Sequence, residues 1–315
     1  DYERAFVETE QRLSLPSWKK FWPAPFWAGG RLKDLEDGET LWIWTEQGYG
    51  DTFQYLRWIK PLLACRPAGE VVLAVEATLV DLLREGLAWL PKPPRVLAKQ
   101  ELEGPPPAAH GPLMSLPEAL GGPIPAAPYL RSTFWRSPID SLLPAISPRS
   151  AGPRVGLVWA SGRKQDDPFT HREQIKRSLE PRALAALIGG LAAAGALVVN
   201  LQHGEDAGTA DGLGLATAHP ALDLGDFGRT ARAVAQLDLV ISVDTAMAHL
   251  VGAMGVPGWI LLPRSADPRW LRERSDSPWY ASLRLFRQKH GGSWGEPIRE
   301  LLAAFASFKG ASPGN

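Results

Sequence analysis

The sequence predicts an α/β protein built as two doubly wound, Rossmann-like domains that face each other across a cleft. Three observations lead there. From residue 40 onward short continuous apolar runs alternate with helical stretches, between residues 92 and 150 prolines crowd and the alternation fades, and from residue 155 a second, cleaner alternation begins. Continuous apolar runs are strands buried on both faces, which crossover helices must cover, so each series reads as a parallel sheet. At 315 residues the chain has room for two domains of about 150 residues each.

Each element follows from its local pattern. Residues 1–39 read as an N-terminal arm, because Trp18, Trp22 and Trp27 stand among Pro16, Pro23 and Pro25. Proline at that density breaks a helix, so the stretch is expected to be extended and pinned by its aromatic rings, with an interface as the second choice. The first domain spans 40–147: a strand at 41–44, a helix at 52–63, a strand at 71–75 and a helix at 78–85. Beyond these only 95–97 and 115–120 keep a periodic character, so this half is expected to end in loops and a linker near 147–153. The second domain spans 148–290, with strands at 155–159, 197–201, 239–243, 258–262 and 283–286 and helices at 181–194, 229–237 and 245–254. Pro181 suits a first helical turn, where its missing N–H would be unpaired anyway, and Gly195 suits the stop. Residues 291–315 carry a last amphipathic helix, at 297–308.

Composition narrows the function. The 34 basic and 34 acidic side chains cancel, so no global field exists to hold nucleic acid. The one cysteine, Cys65, can make neither an internal disulfide nor a multi-cysteine zinc site. No apolar run approaches the roughly 18 residues that span a bilayer, and Asp1-Tyr2-Glu3 is no signal peptide, so the expected location is the cytoplasm. Because the chain starts at Asp1 and not at methionine, a preceding segment stays in view.

Three strand-to-helix turns could carry chemistry, since ligands of open parallel sheets collect at the carboxyl ends of strands. The first is Glu46-Gln47-Gly48-Tyr49-Gly50-Asp51-Thr52. Gly48 and Gly50 let the backbone approach a substrate, and Asp51 presents a carboxylate that is either a catalytic group or a helix cap. The second is Ser242-Val243-Asp244-Thr245-Ala246-Met247-Ala248-His249, a helix N-terminus suited to phosphate, with Thr245 and His249 on one helical face. Asp244 as a cap and His249 as a satisfied core histidine is the competing reading. The third is Trp159-Ala160-Ser161-Gly162-Arg163-Lys164 with Lys176-Arg177-Ser178 further on, whose cations could neutralise a diphosphate or form a solvated basic loop. Neither a Walker loop, a G-x-G-x-x-G turn, H-E-x-x-H nor G-x-S-x-G occurs. His110 falls in a proline-rich loop, at a surface or hinge or facing the cleft, and Asp226 with Phe227 either borders a nucleotide base or makes a turn.

Taken in order, these motifs resemble the GT-B glycosyltransferases, specifically the lipopolysaccharide heptosyltransferase family, family 9, and within it the domain found behind tetratricopeptide repeats in many bacterial proteins. The resemblance runs from about Leu41 to the C-terminus and rests also on His110-Gly111-Pro112-Leu113-Met114-Ser115-Leu116-Pro117, on Val155-Gly156-Leu157-Val158-Trp159 and on Asp238-Leu239-Val240-Ile241-Ser242-Val243-Asp244-Thr245. It implies a nucleotide-diphosphate sugar as donor, held mainly by the second domain, and a glycan, lipid-linked or protein acceptor, held mainly by the first. Transfer would invert the anomeric centre without a metal or any other cofactor. Asp51 maps onto the proposed general base, with Glu76 as the runner-up and Glu46 orienting the loop. Lys176 and Arg177 map onto the catalytic cations, joined by Lys164. Gly48, Gly50, Ser161, Gly162, Gln202, Asp226, Asp244, Thr245, Ala246 and His249 map onto the binding positions. Ala246 stands where heptosyltransferases usually have glycine, and no D-x-D stands at a strand end, since Asp166-Asp167 lies in a polar loop. The last helix is implied to pack back toward the first domain. Peripheral membrane contact and tetratricopeptide repeats outside this chain fit the same picture. The rivals are a non-catalytic nucleotide, glycan or protein-binding module on a GT-B scaffold and a GT-B sugar epimerase.

Overall fold

The computed structural model describes residues 2–15, 35–102, 107–136, 152–162, 168–215, 217 and 226–308. The chain divides into two compact units between Ser132 and Thr133. The expected linker at 147–153 lies mostly outside the described residues, as does the Trp18 to Trp27 stretch.

The first unit opens with a helix, ahead of the stretch expected to be extended. Tyr2–Thr9 (α1) buries Phe6 edge-on against Trp58 at 5.4 Å, and a 3-10 turn, Glu10–Ser14, follows. Its sheet has the order β3-β2-β1-β4, all parallel. Leu41–Trp44 (β1) and Val71–Val75 (β2) are fully apolar and fully buried, as strands in the middle of a helix-covered sheet must be. Between them the expected single helix is divided into Tyr49–Tyr55 (α2), a 3-10 turn at Leu56–Trp58 and Ile59–Cys65 (α3). A 3-10 turn, Ala77–Leu79, leads into Val80–Leu87 (α4). The stretch expected as loops holds two strands, Arg95–Ala98 (β3) and Ala109–Pro112 (β4), before Leu116–Leu120 (α5). His110 is therefore neither a surface nor a hinge residue. It lies opposite Trp42 in the sheet, is fully buried, and accepts at Nδ1 a hydrogen bond from Trp44 Nε1 (3.2 Å).

The second unit carries a parallel sheet of order β6-β5-β7-β8-β9. Arg154–Val158 (β5) is followed by a helix that the sequence reading did not name, Pro168–Arg177 (α6), so Lys176 and Arg177 stand in a helix and not in the basic loop that was one of the two alternatives. Then come Pro181–Ala193 (α7), Leu197–Asn200 (β6), the short Thr209–Gly212 (α8), Phe227–Val234 (α9), Leu239–Val243 (β7) and Ala246–Met254 (α10). Gly258–Leu262 (β8), Leu283–Arg287 (β9) and Gly295–Phe305 (α11) complete it. The entry to this sheet admits only glycine at residue 152, whose φ is +78° and where a Cβ would overlap the Gly195 carbonyl. The apolar face of α11, Ile298, Leu301 and Phe305, lies in the second unit's own core with Leu187, Trp259 and Phe286. Among the described residues no helix is long and apolar enough to cross a membrane.

Candidate functional site

In the first unit the turn after β1 is held from several directions. Gly48 caps α2 with extended backbone, so Tyr49, Gly50 and Asp51 form the first helical turn. The Asp51 carboxylate lies near Gly48, where a Cβ would stand 3.8 Å from Oδ2, an ordinary contact. Two further carboxylates at this sheet edge are ion-paired. Glu46 accepts from Arg12 Nη2 at 2.6 Å, and Glu76 accepts from Lys99 Nζ at 2.5 Å and from Thr45 Oγ1 at 2.7 Å. Burial works against the Arg12 charge, but the hydrogen bonds and charges of Glu46 and Glu10 prevail and raise its pKa above the ordinary arginine value.

In the second unit the structure joins two of the motifs that the sequence leaves apart. Trp159 at the end of β5 accepts the Leu179 N–H (2.8 Å), and the Ser161 N–H donates to Ser178 Oγ (3.1 Å), so the turn after β5 and the end of α6 are sewn together. Gly162 follows at the open surface, with room around it for an added methyl. Two consecutive cations then diverge. Lys176 ion-pairs with Glu173 at 3.0 Å and lines a cavity, while Arg177 Nη1 donates to the Asp244 carbonyl at 3.3 Å. Arg177 thus reaches the second turn.

That turn is built around a buried carboxylate. Burial pushes the Asp244 carboxyl above the usual aspartate value, against the pull of the Trp270 indole and of Arg177 and Arg269. Nearby Asp267 goes the other way: burial opposes its charge, but the charge and hydrogen bonds of Arg269 hold its carboxyl below the ordinary value. Thr245 caps α10 by accepting the Met247 N–H (3.3 Å), and its hydroxyl lies 3.2 Å from Ser242 Oγ. Ala246 is the first residue of α10. His249 is buried, lies 3.0 Å through Nδ1 from the Tyr280 hydroxyl and stacks on Trp270 at 5.2 Å. The His249 half of the competing reading is therefore present, whereas the cap it gave to Asp244 is made by Thr245.

Two binding candidates have structural tasks. The Gln202 amide oxygen accepts the Trp159 and Ala160 N–H groups (3.0 and 2.8 Å), and its nitrogen donates to the Ala160 and His203 carbonyls. It brackets the end of β5. Asp226 caps α9 by accepting the Gly228 and Arg229 N–H groups, as the turn reading has it. Arg163, Lys164, Asp166 and Asp167 lie outside the described residues.

The sequence did not single out the cavity, of about 660 Å³, which is lined by Trp159, Gln174, Lys176, Asp206, Thr209 and Trp294 among others. Its size suits a nucleoside or a disaccharide. Two lining groups, Trp159 Nε1 and Gln174 Oε1, are buried and meet no hydrogen-bond partner among the described residues.

No family model matches the sequence. Protein FlbA of Caulobacter vibrioides is 28% identical over 332 aligned positions, covering 91% of this chain and 49% of that protein. The chain thus spans about half the length of this curated relative. Among solved structures, the glycosyl transferase family 9 protein of Veillonella parvula superposes with a TM-score of 0.60 at 11% identity, over 86% of this chain and 97% of that one. The ADP-heptose lipopolysaccharide heptosyltransferase II of E. coli gives 0.61 at 13%, over 85% and 98%. Two parallel sheets, their order, and near-complete coverage of those chains agree: by fold this is a GT-B protein, with the two Rossmann-like domains seen in family 9 glycosyltransferases.

Proposed function

We propose that the chain is a metal-independent, inverting glycosyltransferase that moves a sugar from a nucleotide-diphosphate donor to a glycan, lipid-linked or protein acceptor. The observation that carries this reading is the junction at the carboxyl edge of the second sheet. There a ligand-sized cavity with Lys176 on its wall adjoins a turn, Ser161–Ser178, that is tied through Arg177 to Asp244 at the head of α10. The fold supports the same assignment, because the ADP-heptose lipopolysaccharide heptosyltransferase II of E. coli shares it.

The chemistry follows from the groups available. A base takes the proton of the acceptor hydroxyl, its oxygen bonds to the anomeric carbon, and the bond from that carbon to the diphosphate oxygen breaks. Negative charge then grows on the departing nucleoside diphosphate, and Lys176 with Arg177 supplies positive charge to meet it. Asp51 is the proposed base. Glu46 and Glu76 hold ion pairs with Arg12 and Lys99. The cytoplasm is the proposed place of work, where nucleotide sugars are at hand, and tetratricopeptide repeats are the proposed neighbours outside this chain.

A thermal-shift screen with ADP, GDP, UDP, CMP and their sugars tests donor binding, since a ligand that binds only the folded state raises its apparent stability. A stabilising nucleotide sugar that is then consumed only with an acceptor present supports transfer. Consumption to a new sugar without acceptor would point to an epimerase. The second reading, a binding module without turnover, is favoured by the structural tasks of Gln202, Asp226 and His249, and it expects a thermal shift with no sugar consumed.

A further inference from the structure

We propose that Arg12 is a positioning residue for the turn that carries Asp51, which makes the N-terminal helical segment part of the acceptor-side machinery. The inference rests on the reading of Asp51 as the base. Arg12 stands in the 3-10 turn after α1, and its guanidinium closes a ring of three chain segments. Nη2 donates to Glu46 Oε1 (2.6 Å) and to Ser115 Oγ (2.9 Å), Nε donates to the same Glu46 oxygen (3.1 Å), and Nη1 donates to Glu10 Oε1 (2.6 Å). Ser115 Oγ donates in turn to Glu10 Oε2 (2.7 Å). Glu46 precedes the Gly48 cap by two residues, so this ring grips the near end of the turn.

The far side of the same turn has its own anchors. Thr45 bonds Glu76, and the Tyr49 hydroxyl accepts from Thr78 Oγ1 at 3.2 Å. With Arg12 in place the turn is held from both sides, and without it one side remains. The N-terminal segment does not need this ion pair to stay docked, because Phe6 packs in the core against Trp58. The side chains of Arg12 and Glu46 are 11% and 4% exposed. A pair so desolvated adds little stability over apolar groups of the same volume, and what it does supply is direction. Direction is what a base within reach of a substrate hydroxyl requires.

The test uses the full chain with Arg12→Met, Arg12→Lys and Glu46→Gln, read by hydrogen exchange and by kinetics. In Arg12→Met the amides of residues 48–55, among them the Thr52 N–H bonded to the Gly48 carbonyl, should exchange about tenfold faster while β1 and β2 keep their protection. Turnover should fall about 10- to 100-fold, with the donor KM within about threefold of the native value. Arg12→Lys should recover part of both. Should Arg12→Met fail to fold, Glu46→Gln, which keeps Arg12 on Glu10 and Ser115, should show the same confined loosening. Unchanged exchange in the turn, or loosening that spreads through β1 and β2, overturns the proposal. A loosened turn in a chain whose native form consumes no donor leaves the positioning role standing and removes the reading of Asp51 as a base.

Discussion

Asp244 shows how a single residue ties folding to protonation. In the unfolded chain its carboxyl has the ordinary value of 3.8, and burial in the fold raises it, so the folded state binds the proton more tightly. The stability this confers is complete below the ordinary aspartate range and is lost as the pH rises through the raised folded value. Asp244→Asn should therefore flatten the profile: between about pH 4 and 7 its melting temperature should fall less than the native one does. Calorimetry at several pH values checks this, and parallel profiles would place the source elsewhere. Asp51→Asn keeps shape and removes the proton acceptor, so transfer should drop by roughly 10²-fold or more with nucleotide affinity unchanged. Glu76→Gln should cost less, and the reverse ranking in steady-state kinetics would make Glu76 the base. Sequence alone placed Asp51, Thr245 and His249 at strand-to-helix turns, because a turn after an apolar run is local information. It could not separate ligand groups from structural ones: the Gln202 bracket on Trp159 joins residues 43 positions apart, and the Asp244 surroundings depend on Trp270 and Arg269, far along the chain.

Elements differ in how openly their sequences declare them. The runs Leu41–Trp44, Val71–Val75, Leu239–Val243 and Gly258–Leu262 are continuous and apolar, so their strands were legible. Ala109–Pro112 has no such run. It is a strand because β1 offers it an edge to pair with, Leu41 opposite Ala109 and Trp44 opposite Pro112. Pro168–Arg177 is strongly polar; its last residue, Arg177, donates to the Asp244 carbonyl, and Leu179 just beyond it donates to the Trp159 carbonyl. Within α10 the decisive position is Gly252, where a Cβ would overlap the ring of the fully buried Tyr280. Gly252→Ala would push that ring from its place beside His249 at a cost of about 1–3 kcal/mol. Urea unfolding should show the loss. A variant as stable as the native chain would mean that Tyr280 can shift freely.

The molecule as a whole divides its aromatic residues between two separate cores. In the first unit Trp42, Trp44 and Trp58 are buried, and in the second Trp159, Trp259, Trp270 and Trp294 are buried. The two-domain plan was readable from the two rhythms, whereas the N-terminal helix was not singled out, since its eight residues bury a single side chain, Phe6. Of all these indoles, Trp159 and Trp294 line the cavity beside Lys176. The protein consequently carries its own optical reporter. A nucleotide entering that cavity should quench or shift part of the tryptophan emission, and replacing both Trp159 and Trp294 by Phe should remove most of the change while leaving the emission of the first unit as it was. A titration followed at a fluorimeter can thus read donor occupancy without label, acceptor or turnover, and a full response in the double variant would locate the nucleotide away from this cavity.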